Sequence, residues 1–138
     1  MTNFERAKKL INDARTYKEE AEQAFESKEW NRTIRRAQES VELYLKGIMK
    51  MMNIEVPKIH DVSKIFVIEI EKKGKKLRRE TAEKIIRTSS ALSEKRAPAF
   101  YREEEYTEDD AKESIEAMRF IAEFIEKLLK EFPNERAE

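Results

Sequence analysis

The sequence predicts an all-α protein, an up-and-down antiparallel helical bundle of four long helices plus one short helix. Three observations predict it. Only 2 glycines and 3 prolines interrupt 138 residues, so long elements run unbroken. Charged residues make up 42%, with Glu, Lys and Arg set among Leu, Ile and Ala, which is the composition of long amphipathic helices. Apolar residues recur at three- and four-residue spacings, and period-2 alternation never lasts long enough to argue for a sheet.

The first helix opens at Thr2, with Glu5 three residues on, a capping-box signature. Its stripe is Phe4, Ala7, Leu10/Ile11, Ala14, Tyr17, Ala21 and Ala24/Phe25. Ser27 is the expected cap of the second helix, which carries Trp30, Ile34, Ala37, Val41, Leu45, Ile48 and Met52 on one face. Pro57 and the residues around it, Asn53 to His60, make the break. Asp61 is the expected N-cap of a short third helix, Val62 to about Lys73, and Gly74 stops it. That helix contains IFVIEI, the one β-like stretch; as a lone strand it would have no partner. The fourth helix is expected from about Arg79 to Lys95, with Pro98 ending it and Ala97 to Tyr106 a loop. Thr107 and Asp110 form a second capping box, and the last helix runs from there to Pro133. The whole is one domain, residues 1–133, followed by a frayed acidic tail at 134–138.

Composition excludes several kinds of chemistry. There is no cysteine, so disulfides, thiol nucleophiles and cysteine-ligated zinc are out. With a single histidine, no zincin pair and no Glu-x-x-His di-iron set can form, and no metal or other cofactor is expected. No Gly-rich phosphate loop or nucleophile elbow exists. No apolar run approaches the ~20 residues of a membrane span, and the N-terminus lacks an apolar signal segment, so a cytoplasmic location away from membranes is expected. Heavy Lys, Glu and Arg use without cysteine suits the cytosol of a thermophile.

Net charge is zero but unevenly spread. Residues 58–96 hold 12 Lys/Arg against 6 Asp/Glu, and residues 101–138 hold 6 against 13. The densest basic run, Lys72 to Arg79, reads as a solvated loop or, alternatively, a phosphate-binding patch. The lone histidine, His60, sits with Asp61 at the corner between the second and third helices. A structural corner is the preferred reading over a catalytic one, since a helix N-terminus disfavours imidazolium. The second candidate is EKRAPAFYREEEY, Glu94 to Tyr106. Lys95 and Arg96 there precede the aromatic pair Phe100–Tyr101, the residue types that hold a nucleotide's phosphate and base. The same residues would also pin an ordinary loop to a bundle.

These stretches together resemble the HEPN domain family (higher eukaryotes and prokaryotes nucleotide-binding), in its single-domain prokaryotic and archaeal branch. The resemblance rests on Ala37-Gln38-Glu39-Ser40-Val41-Glu42, Leu45-Lys46, Pro57 and His60-Asp61. It rests also on Arg96-Ala97-Pro98-Ala99-Phe100-Tyr101 and on Tyr106-Thr107-Glu108-Asp109-Asp110-Ala111. It implies a helical bundle, commonly a homodimer, often paired with a minimal nucleotidyltransferase in toxin–antitoxin or nucleotide-linked systems. Many such proteins are metal-independent ribonucleases with an Arg-x4–6-His motif. This chain departs from that motif: positions 53 to 55 are Asn, Ile and Glu, and Arg96 is followed at the right spacing by Tyr101. A non-catalytic module binding a nucleotide, an RNA or a nucleotidyltransferase partner is therefore favoured, with a ribonuclease toxin using a non-standard site as the alternative. Surplus apolar residues on the second helix (Tyr44, Met49, Met51) and last helix (Phe120, Phe124, Leu128) add an expectation of a twofold homodimer.

Overall fold

A computed structural model describes residues 1–132. It contains five helices: α1 (Asn3–Glu26), α2 (Trp30–Met51), α3 (Ser63–Lys72), α4 (Arg79–Phe100) and α5 (Glu108–Leu129). IFVIEI lies within α3, and no strand occurs among the described residues. Cross-helix contacts fix the directions. Ile11 meets Gly47 and Ala14 meets Ser40, so α1 and α2 are antiparallel. Asn31 at the start of α2 meets Ala99 at the end of α4, and Glu22 and Arg15 of α1 pair with Arg119 and Glu126 of α5. The long helices thus run up, down, up and down, with α3 placed between α2 and α4. α5 ends at Leu129 with Lys130 as its C-cap, four residues short of the expected stop at Pro133; Pro133 itself and the tail at 134–138 lie outside the described residues.

α2 is the central element and packs on all the others. Ile34, Ala37, Val41, Leu45, Ile48 and Met49 are buried, as are the polar residues Asn31, Thr33, Gln38 and Ser40. The buried stripe of α1 is built mostly of alanine: Ala7, Ala14, Ala21 and Ala24. Small side chains let the two backbones approach, and the Ser40 hydroxyl donates to the Ala14 carbonyl at 2.7 Å. Gly47 sits where a Cβ would lie 2.6 Å from Ile11 Cδ1, so any larger residue forces the Ile11 side chain to shift. Of the six surplus apolar residues, Tyr44, Met49 and Leu128 are buried within the single chain and the other three are partly buried. The wide stripes of α2 and α5 therefore serve the intrachain core.

The two capping boxes form as expected at Thr2/Glu5 and Thr107/Asp110. The helix ends differ from expectation in three further places. Ser27 closes α1 rather than opening α2; the α2 N-cap is Glu29, and its side chain makes no capping bond. Asp61 lies one residue before the α3 N-cap, Val62, although its carboxylate still accepts from the Ser63 amide at 3.0 Å. α4 continues through Pro98 to Phe100 instead of ending near Lys95. Proline removes one backbone donor in the last turn, yet Tyr101 N still donates to Ala97 O at 2.9 Å and Ala99 is buried. Anchoring of that final turn by α2 outweighs the proline penalty.

Helices α1 to α4 end in the same way. The residue after the C-cap is left-handed: Lys28 (φ 61°), Asn53 (φ 60°), Gly74 (φ 95°) and Arg102 (φ 56°). In each case the next amide reaches back to an earlier carbonyl: Glu29 to Ala24, Ile54 to Met49, Lys75 to Ile70 and Glu103 to Pro98, all at 2.9–3.1 Å. This is the Schellman closure, which satisfies orphan carbonyls. Only one of the four uses glycine.

Candidate functional site

The end of α4 is held in place by a buried residue of α2. Asn31, 5% exposed, donates from Nδ2 to Ala99 O (3.1 Å) and Glu104 O (2.8 Å), and accepts from Tyr106 N (2.9 Å). All its hydrogen-bonding groups are spent on the backbone of the last α4 turn and the loop behind it. The loop is thereby fixed, and the aromatic pair ahead of it stands out from the surface. Phe100 is 54% and Tyr101 70% exposed, and their rings meet edge to face with centroids 4.8 Å apart.

A basic group faces this pair. The Arg35 guanidinium of α2 lies 4.7 Å over the Phe100 ring. Burial, then the charges of Arg36, Arg32 and Arg96, hold its pKa below the ordinary arginine value, although Glu39 acts the other way. Arg36 differs in having carboxylates at hand: Glu39 at 2.7 Å and Glu20 at 2.8 Å. Among the described residues neither Arg35 nor Arg96 makes an ion pair or hydrogen bond. Two under-neutralised guanidiniums therefore lie beside two exposed rings, an arrangement that can receive a phosphate and a flat base.

Of the four predicted contact residues, the structure brings Arg96, Phe100 and Tyr101 together with Arg35. Lys95 turns to another side of α4, where its ammonium is 3.8 Å from Glu113 of α5. Sequence reasoning missed Arg35, which lies 65 positions before Phe100 and in a run of arginines that carries no local mark of function.

His60 and Asp61 lie elsewhere. His60 Nδ1 is 3.1 Å from Glu42 Oε1, and Glu42 also accepts from Gln38 and Lys46. Seven residues of α2 separate Glu42 from Arg35, about 10 Å along the axis at 1.5 Å per residue. Asp61 accepts from the Ser63 amide and from the hydroxyls of Ser63 (2.7 Å), Ser89 (2.9 Å) and Ser90 (2.6 Å), so it joins α3 to α4. Burial opposes its charge, but these bonds, Ser90 foremost, outweigh burial and keep its carboxyl below the usual value.

The basic run Lys72 to Arg79 is largely answered within the chain. Lys72 lies 3.2 Å from Glu69, Lys75 2.9 Å from Glu131, Arg79 3.2 Å from Glu83 and Arg78 3.8 Å from Glu80. That favours the solvated-loop reading. Among the described residues no group of three or more His, Asp or Glu is placed to hold a metal ion, and no helix is long and apolar enough to cross a membrane.

A family model described as HEPN domain matches residues 7–128. The structure of an archaeal HEPN homologue, ST0689, superposes with a TM-score of 0.68 at 20% identity, covering 89% of this chain and 97% of that one. That of TT1696 from Thermus thermophilus superposes with a TM-score of 0.69 at 18% identity, covering 88% and 97%. At these identities the two likenesses concern the fold. No curated protein matches the chain.

Proposed function

The chain belongs to the HEPN domain family, and from that premise we propose that it is a non-catalytic binding module that takes a nucleotide at Arg35, Arg96, Phe100 and Tyr101. The observation that carries this reading is Arg35, stacked on Phe100 with no carboxylate partner and Arg96 nearby in the same condition. Arg35 already covers one face of Phe100, so the base stacks on Tyr101 and the phosphates meet the two guanidiniums. Base–aromatic stacking contributes about 1–3 kcal/mol, so losing it costs roughly ten-fold in affinity or more. Calorimetric titration with ATP tests this. Tyr101→Ala and Arg35→Ala should each weaken binding by about ten-fold, whereas Lys95→Ala should change it little. Parental affinity in both of the first two variants would exclude this surface.

The family resemblance extends the proposal to a partner, a minimal nucleotidyltransferase acting with this chain in a toxin–antitoxin-like system. Co-purification of such a protein from co-expression is the check, and failure to co-elute at micromolar concentration argues against it. The alternative reading, a metal-independent ribonuclease, draws on Arg96 and Tyr101 sharing the end of α4. A phenol hydroxyl is a poor general base at neutral pH, and His60 is tied to Glu42 at a different point on α2. Mixed RNA incubated with the protein in chelating buffer should remain intact. Cleavage that disappears in Arg96→Ala would establish the nuclease instead.

A further inference from the structure

We propose that the groove between α4 and α5 is a second binding site, taking a small organic anion with a flat apolar body whose charged group is received by Arg87. Both helices pack on α2 and touch each other little, leaving an open groove of about 370 Å³. That volume is at the lower end of the range for small-ligand pockets, roughly 300–1,000 Å³. The floor is apolar: Leu92 is buried, and Ala91 and Ala117 on the walls are too small to fill the space.

The charges around the groove are unequally answered. Lys95 is 3.8 Å from Glu113, the ammonium of Lys84 lies 4.2 Å over the Phe120 ring, and Glu116 lies within the field of Arg119. Arg87 alone of the groove's cations makes no ion pair, hydrogen bond or ring contact among the described residues. A free guanidinium offers a planar fork of donors that matches a phosphate, sulfonate or carboxylate. A ring carried on that anion would cover Ala91, Leu92 and Ala117 and release the water over them. The site goes beyond the nucleotide surface and does not depend on it: Lys95 faces this groove, while Arg96 acts on Arg35 at another side of the helix.

The test is a fluorescence titration with 8-anilinonaphthalene-1-sulfonate, an aromatic sulfonate, on the intact chain, with circular dichroism confirming the fold of each variant. The parent should bind with one saturable site. Arg87→Ala removes the anion's partner from an exposed position and should weaken binding by about ten-fold. Ala91→Trp, also at an exposed position, fills the groove and should abolish binding. Tyr101→Ala should leave it unchanged, which separates this site from the nucleotide surface. Absence of saturable binding to the parent, parental affinity in a folded Arg87→Ala, or loss of binding in Tyr101→Ala would each overturn the proposal. Should Ala91→Trp fail to fold, Arg87→Ala decides alone.

Discussion

At the scale of single residues, two polar side chains, Asn31 and Asp61, tie segments that lie far apart in sequence. Asn31→Ala would leave two carbonyls and one amide, of the last α4 turn and the loop after it, without their partner. Each orphaned buried group costs about 1–3 kcal/mol, less whatever water recovers. A loss of about 3 kcal/mol is expected in urea unfolding, together with weaker ATP binding because the Phe100–Tyr101 step loses its support. Asp61 makes a pH prediction. Its folded pKa is held below the ordinary 3.8, so its contribution is present above that value and is lost as pH falls through the lower folded value. Asp61→Asn should therefore destabilise the protein at pH 7 and reduce the steepness of acid unfolding below pH ~4. An unchanged acid limb would remove Asp61 from the linkage. The sequence marked Asp61 through its place before a helix; Ser89 and Ser90, 28 and 29 residues away, were invisible as its donors. Asn31 was hidden for the same reason, since its partners lie 68 to 75 residues on.

At the scale of elements, helix starts were easier to read than helix stops. A capping box is a local pattern, and both boxes form where Thr2 and Thr107 predict them. A left-handed stop is legible when glycine or asparagine occupies it, as at Gly74 and at Asn53, where the break was expected to begin; Lys28 and Arg102 do the same work without announcing it. Ser27 was consequently assigned to the wrong helix. Pro98 misled in the opposite direction, because its cost is met by contacts from another helix. The left-handed conformation costs a non-glycine residue roughly 1–2 kcal/mol, partly offset by glycine's greater freedom when unfolded. Lys28→Gly should accordingly raise stability by about 0.5–1 kcal/mol and the melting temperature by about 2–4 °C. A fall in melting temperature would show that the Lys28 side chain contributes more than its backbone costs.

At the scale of the whole molecule, the all-α class and the order of five helices were legible because amphipathic periodicity is a property of each segment alone. Of the proposed surface, three of the four residues were legible. Phe100, Tyr101 and Arg96 are neighbours in sequence, but Arg35 joins them only through the antiparallel pairing of α2 and α4. The uneven charge along the chain is also resolved by folding, with Lys75 and Lys95 of the basic segment paired to Glu131 and Glu113 of the acidic one. The twofold homodimer now rests on the family resemblance, since half of the apolar surplus that motivated it is buried within one chain. Light scattering at micromolar concentration should give the mass of two chains; a mass near 16.5 kDa that persists on concentrating would make the protein a monomer.

The Asn31 clasp also bears on how this surface can change over evolution. It grips only main-chain atoms, Ala99 O, Glu104 O and Tyr106 N, and so asks nothing of the side chains at 100–103. Fold and recognition are thereby encoded by different residues. One helix can keep the loop's shape while the letters displayed on it drift, and with them whatever ligand the proposed surface would take.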